Sequence, residues 1–435
     1  LNTLLVAAPP SSARSHDARR PMSRCPGRDR PEQSHENLVP RALVEFFAVR
    51  SPARVKEPAR VTVLAVRRPS SVFRAPCDAH EWRCVVSCHN FKNFLPPRAA
   101  HRDMSSVDAL DPCARVRATC AKVAQRARQV TVDADAVARF VDALGDDDVA
   151  RLKRGCRGFD DGAHHGDVRG DDEAMAMFTL CVDAINFCFW PDHDDGVEEG
   201  LEYEHLTRGW RNAHAGDWTV LTCERLQTMS GPDLRAILNW PRPLPDEETR
   251  ARLIREVGDG LAKSFGGSCA EFVRAANGSA VRLVELLLEH FPGFRDEVHA
   301  NGDDVFFYKR AQIFVGDLWG GFRGQGLGSF HDIEALTMFA DYRVPVTLRE
   351  QGILHYDDAL LTKIVNKEEI PANSAEEVEI RACTVMAVEA IRESFAKKHG
   401  ERVSSIVIDW YLWERGEEKR KTSVEPHHRT RTTFY

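Results

Sequence analysis

Between residues 306 and 345 apolar residues dominate, yet Lys309, Arg310, Gln312, Asp317, Asp341 and Arg343 are set among them. Burying a lone carboxylate costs several kcal/mol unless a partner or a function compensates, so two of them in one apolar stretch mark a candidate site. A carboxylate so placed can stabilise a cation that develops in a transition state, or attack it as a nucleophile. Asp341 is the sharper candidate. Arg343 follows at once and Pro345 breaks the helix, which puts Asp341 at a helix end where backbone opens toward a ligand. A carboxylate merely salt-bridged to Arg343 accounts for the same residues equally well. Asp317 shares one helical face with Arg310 and Phe314, at i, i+4 and i+7. A structural network that anchors the Asp341 segment explains Asp317 at least as well as direct catalysis.

These residues need elements to hold them, and the periodicity is mostly helical. It predicts helices at residues 133–144, 246–264, 280–290, 306–319, 332–340 and 376–398. Residues 173–190 are apolar nearly all round, as in a central helix buried on most faces. Within it Asp183 and Asn186 stand at i and i+3, placed to tie neighbouring helices together. Ser268 with Glu271 offers a capping box, and Ser279 repeats that logic one helix later. Glu377 and Arg381 are spaced for a surface ion pair. The apolar run at 404–413 fits a strand or a helix. Residues 145–172 read as a loop with a short helix, 191–203 as an acidic turn, and 210–245 as less regular. Gly324, Gly326 and Gly328 follow a helix rather than a strand, so they read as a flexible turn and not a phosphate loop. Asp192, His193, Asp194 and Asp195 read as solvated charge rather than a metal cluster. No strand–helix alternation calls for a parallel sheet. The expected fold is mainly α, with few or short strands.

The net charge of −7 hides two unlike parts. Twelve of the 22 prolines precede Met104, and that leading stretch holds 18 Lys/Arg against 9 Asp/Glu, or +9. The remainder holds 41 against 57, or −16. We expect residues 1–103 to be a disordered extension or a gene-model artefact, since the chain opens on Leu1 and Met104 resembles a natural start. An Arg-rich targeting segment is the alternative, against which Asp17, Asp29, Glu32 and Glu36 count. Residues 104–435 are expected to form the working domain. No apolar run is long enough to span a bilayer, and the twelve scattered cysteines suit reduced thiols in a soluble, cytoplasmic protein. Cys77, Cys84, Cys88 and His89 match no common zinc spacing, and no metal or cofactor is called for.

The wording of the 306–345 stretch, F-Y-K-R-A-Q-I-x-V-x-D-x-W followed by D-I-x-x-L-T-M-F-A-D-Y-R-x-P, closely resembles the queuosine salvage proteins, which are queuosine 5'-phosphate N-glycosylases/hydrolases. Further words fall in that family's order over roughly residues 110 to 435. They are Val182-Asp183-Ala184-Ile185-Asn186-Phe187-Cys188-Phe189-Trp190, Phe265-Gly266-Gly267-Ser268, Phe291-Pro292-Gly293-Phe294-Arg295-Asp296, Glu377-Val378-Glu379-Ile380-Arg381, Ile408-Asp409-Trp410-Tyr411-Leu412-Trp413 and Pro426-His427-His428-Arg429-Thr430-Arg431.

The resemblance implies a compact helical fold likened to helix-hairpin-helix DNA glycosylases, and hydrolysis of a nucleotide's N-glycosidic bond to release queuine for reinsertion into tRNA. It implies Asp341 as the catalytic carboxylate, beside the anomeric carbon where positive charge develops. Asp409 would accept the N–H donors of the guanine-like edge, with Phe339 in contact with the base and Trp410 and Trp413 as a stacking face. Trp410 stands where many relatives carry Tyr or Phe, and Glu414, a further candidate contact, replaces a common Asp. For Asp409, Trp410 and Glu414 a helix end packed with aromatics is the plain alternative. Counting back without gaps from the central helix gives His164 as the family's loop histidine, with His165 adjacent. A monophosphate would draw on Lys309, Arg310, Arg343, Arg429 and Arg431, of which Lys309 is preferred. Queuosine 5'-phosphate is the expected small-molecule partner, with no membrane and no stable nucleic-acid partner. Two other readings remain: a catalytically silent nucleic-acid-binding protein on the same scaffold, which −16 across 104–435 disfavours, and a ribohydrolase of ordinary purine nucleosides.

Overall fold

The central helix stops at Ala184, six residues short of the apolar run that predicts it, because three cations take the carbonyl groups that follow. Arg310 donates to the oxygen of Ala184. Arg250 donates to those of Ile185, Phe187 and Cys188 at 2.6, 2.7 and 2.8 Å. Lys309 donates from Nζ to Asn186 at 3.0 Å. Five consecutive carbonyls thus find charged donors at the negative end of the helix dipole, where cations are favoured. Charge-assisted bonds of this kind contribute about 1.5–3 kcal/mol each, enough to outweigh continuing the helix through residues with no helical preference. The chain leaves through Cys188 at φ 38.

The computed structural model describes residue 107 and residues 109–159, 171–190, 200–300, 302–419 and 425–435. The expectations for residues 1–103, including Cys77, Cys84, Cys88 and His89, lie outside these, as do those for His164, His165 and 192–195. The fold is mainly helical. The central helix, Asp172–Ala184, is buried from Ala174 onward and packs against helices Tyr203–Gly216, Glu247–Ser264, Cys269–Arg274 and Lys309–Gly321. A second layer joins Pro112–Arg126 to Ala375–His399, which in turn packs on Ser405–Lys419. The described strands form two short antiparallel pairs. β1 (Val130–Val132) pairs with β4 (Leu354–Tyr356), and β2 (Glu297–Ala300) pairs with β3 (Asp303–Phe306). No helix among the described residues is long and apolar enough to cross a membrane.

Several elements depart from the sequence pattern for local reasons. The helix expected from 306 begins at Lys309, because Phe306 still pairs with Glu297 in the hairpin. Ser268 caps its helix as expected, accepting from the Glu271 amide at 3.1 Å, but the acid that completes the cap is Glu173 rather than Glu271. Glu173 accepts from the Ser268 hydroxyl and from the amides of Cys269 and Ala270. The expected surface pair of Glu377 and Arg381 is buried, at 2 % and 1 % exposure. There Arg381 makes a two-pronged ion pair with Asp296, at 2.6 and 3.0 Å. The ambiguous run at 404–413 is helical, within Ser405–Lys419.

The largest departure is at 332–340. Only Ile333–Ala335 makes a short 3-10 turn, and the chain then runs without regular structure to Asp341. Side chains from four helices take its backbone groups. Arg117 donates to Leu336 O at 2.8 Å. Gln312 accepts from Thr337 N at 2.8 Å and donates to its hydroxyl at 2.8 Å. Asp409 accepts from Phe339 N at 3.0 Å, and Arg381 donates to Ala340 O at 3.1 Å. With those bonds made, a helical ladder has nothing to add.

Candidate active site

The suspended segment delivers Phe339, Asp341, Tyr342 and Arg343 to the wall of a cavity that opens to solvent. Asp341 Oδ1 accepts the amides of Arg343 and Val344, both at 3.0 Å. It thereby caps helix Val344–Glu350, in which Pro345 occupies the first turn, so the proline opens a helix rather than breaking one. The Arg343 guanidinium does not lie on this carboxylate. It reaches Glu202 and Glu417, each at 3.2 Å. Asp341 keeps partial exposure while Lys309, Asp317 and Asp409, which line the same cavity, are at most 4 % exposed.

Four carboxylates and one ammonium share this interior. Burial pushes Asp409 and Asp317 well above the usual carboxylate range, and a neighbouring carboxylate adds to each: Asp341 for Asp409, Asp183 for Asp317. Asp183, fully buried behind the cavity, is pushed by burial up to about 7. Its Oδ1 accepts from Asn186 at 3.4 Å, while its Oδ2 has no hydrogen-bond partner. Burial also raises Asp341, but the Lys309 ammonium and the two amides oppose the shift. Lys309 is itself lowered by burial and held up chiefly by Asp341.

The Lys309 ammonium, with the smaller pulls of Arg310 on Asp183 and Arg343 on Asp341, does not offset the desolvation of four carboxylates, at several kcal/mol each. Asp341 has the ammonium, two amide donors and access to water, so the negative charge resides there. Asp409 and Asp317 hold protons to higher pH. Two neighbouring carboxyls whose environments differ in this way divide into a charged group and an acid.

Aromatic rings complete the walls. Phe339 and Trp410 both line the cavity, and Trp410 is backed by Trp319 (ring centroids 5.7 Å apart, 20° between planes) and Phe159 (4.9 Å). Trp413 meets Tyr203 edge-on at 6.0 Å, and the Tyr203 hydroxyl donates to Asp317 Oδ2 at 3.4 Å. The structure therefore brings together Asp341, Lys309, Phe339, Asp409, Trp410, Asp317 and Arg343. It leaves out Glu414, whose carboxylate pairs with Arg151, and Arg310, which is spent on the carbonyls of Ala184 and Gly293. Arg431 pairs with Glu369, and Arg429 sits over the Trp190 ring on a neighbouring cleft.

Sequence reasoning missed Tyr203, Tyr342 and Tyr435 as lining residues, and gave Asn186 a purely structural task although it too faces the cavity. Phe187 and Phe189 carried a signal. They alternate across the point where the helix ends, an extended pattern inside a helical one.

Residues 166–435 match the family model described as queuosine salvage protein. A queuosine 5'-phosphate N-glycosylase/hydrolase of Dictyostelium discoideum is 47 % identical over 264 residues, covering 60 % of this chain and 79 % of the relative. Proteins of the same description from Sphaerobacter thermophilus and Mus musculus are 38 % and 34 % identical, covering 74 % and 72 % of this chain and 97 % and 96 % of their own lengths. With the motif words, their order and the match in agreement, the chain belongs to the queuosine salvage protein family.

Proposed function

We propose that this chain is a cytoplasmic N-glycosyl hydrolase that cleaves queuosine 5'-phosphate and releases queuine for salvage into tRNA. Its scaffold is of the helix-hairpin-helix glycosylase kind, carrying a nucleotide pocket. Family membership supports the reaction, and one observation carries the mechanism: Asp341 is a partly exposed carboxylate anchored by two backbone amides, in a cavity that it shares with aromatic rings and the buried acids Asp317 and Asp409.

As the bond between C1' and the base nitrogen breaks, its electron pair leaves with the base and C1' becomes cationic. Asp341 stabilises or traps that cation. Queuine is a 7-deazaguanine, so position 7 is carbon and the proton must reach the base elsewhere. Asp409, whose acid form burial favours, supplies it and recovers one from the water that adds to C1'. Oδ1 of Asp409 is shared with the Phe339 amide, leaving Oδ2 to address the base edge. Phe339 and Trp410 hold the ring between them.

The test is release of free base from queuosine 5'-phosphate, followed by chromatography. Wild type should turn over, and Asp341→Ala should lose at least about a thousandfold in kcat. Guanosine monophosphate run in parallel separates this reading from a general purine ribohydrolase. Turnover that survives Asp341→Ala intact removes the mechanism.

A further inference from the structure

Residues 425–435 carry a motif, Pro426-His427-His428-Arg429-Thr430-Arg431, that the reaction does not use. In the structure this segment folds back against the catalytic wall. The His427 ring lies 4.6 Å from that of Tyr342, next to Asp341. The amide of Ile370 donates to Arg429 O at 2.7 Å. Tyr435 is 1 % exposed, and its carbonyl accepts from Cys188 N at 2.9 Å, at the left-handed residue between the cavity-lining Phe187 and Phe189.

The Tyr435 ring does two things at once. One part of it lines the cavity. It also covers the Arg381 guanidinium at 4.2 Å, while Phe307 covers the other side at 3.9 Å. Its hydroxyl lies 3.2 Å from His428 Nε2, itself buried. Arg381 is thus held in its plane by two rings and fixed along its edge by the Asp296 carboxylate. Nη1 also donates to Glu377 Oε1 at 3.4 Å, and Nε goes to the carbonyl of Ala340, the peptide immediately before Asp341. A guanidinium confined between aromatic faces cannot tilt without losing both contacts and its planar bonds.

We propose that Tyr435 is a positioning residue for the reaction: its ring clamps Arg381, and Arg381 sets the Ala340 peptide and hence the direction of the Asp341 carboxylate. This rests on the reading of Asp341 as the reacting carboxylate. A displacement of about 1 Å at the reacting group is enough to cost a hundredfold in rate, so a lost clamp should appear in kcat before it appears in binding.

The experiment compares Tyr435→Ala, Tyr435→Phe and wild type in the full chain, measuring kcat and KM on queuosine 5'-phosphate and calorimetric binding of queuine. Tyr435→Ala should lose tenfold or more in kcat with KM changed less than fivefold and about one queuine still bound per chain. Tyr435→Phe, which keeps the ring, should restore kcat to within threefold of wild type. Three results would overturn the proposal: wild-type kcat in Tyr435→Ala, equal loss in the Ala and Phe variants, or a kcat loss matched by a loss of binding stoichiometry. If Tyr435→Ala does not fold, Tyr435→Leu keeps the volume without the π face and is judged by the same criteria. A wild-type protein that releases no base at all removes the functional reading instead, and is distinguishable from each of these.

Discussion

Asp409 accepts the backbone amide of Phe339 at 3.0 Å across seventy positions of sequence, so the acid assigned to the base also holds the segment that carries Asp341. Helix Ser405–Lys419 and the irregular run at 336–341 are therefore one functional unit. A substitution at Asp409 acts on both binding and geometry.

The two effects can be separated. Asp409→Asn keeps an oxygen for the Phe339 amide, whereas Asp409→Ala leaves that buried N–H unpaired. Asp409→Ala should lose about 1–3 kcal/mol in chemical denaturation, and Asp409→Asn less than half as much. Both should be impaired in turnover. Equal stability of the two variants would mean that the bond to Phe339 contributes nothing.

The proposed mechanism requires Asp341 charged, and burial has raised its pKa, so kcat/KM should fall with decreasing pH from a higher starting point than an ordinary aspartate, near 3.9, would give. Lys309 opposes that rise. Lys309→Met removes the ammonium and lets the pKa climb further. The acid limb of the kcat/KM profile should then move to higher pH by about one unit or more. A limb that stays in place, or moves to lower pH, contradicts the charge assignment.

Gly316 lies on the Lys309–Gly321 helix where a Cβ would meet Phe339 Cζ at 2.7 Å. Alanine is the better helix former by about 1 kcal/mol, but the Phe339 ring would have to give way. Gly316→Ala should therefore raise KM on the nucleotide several-fold while leaving Tm within a few degrees of wild type. Unchanged KM would show that the Phe339 ring has room to move or does not touch the base.

Much of this was legible in the residues. Asp341 stands out as an acid in an apolar run, Asp409 enters through the family's motif, and the helices at 247–264 and 280–290 show in their periodicity. What escaped depends on partners far away in sequence. Nothing near Phe339 announces that Arg117, Gln312, Arg381 and Asp409 will satisfy its neighbours' backbone, so a helix is the natural local reading of 332–340. Arg250 looks like one more charge in an amphipathic helix, yet it is fully buried and ends the central helix from 62 to 65 positions away. Glu377 and Arg381 have the spacing of a surface pair, and nothing near them announces that Asp296, 85 positions distant, will bind Arg381 in the interior. Tyr203 has no sequence signal at all, since a tyrosine at a helix start is unremarkable until Asp317 is placed beside it.

The run at 336–341 takes its long-range hydrogen bonds from side chains on four separate helices. Its unfolding is therefore tied to theirs, and the amides of Thr337 and Phe339 exchange with solvent when Gln312 and Asp409 let go of them. Asp341 is thus mounted on irregular backbone that is tied to four helices, and the absence of regular structure there is not by itself a sign of motion.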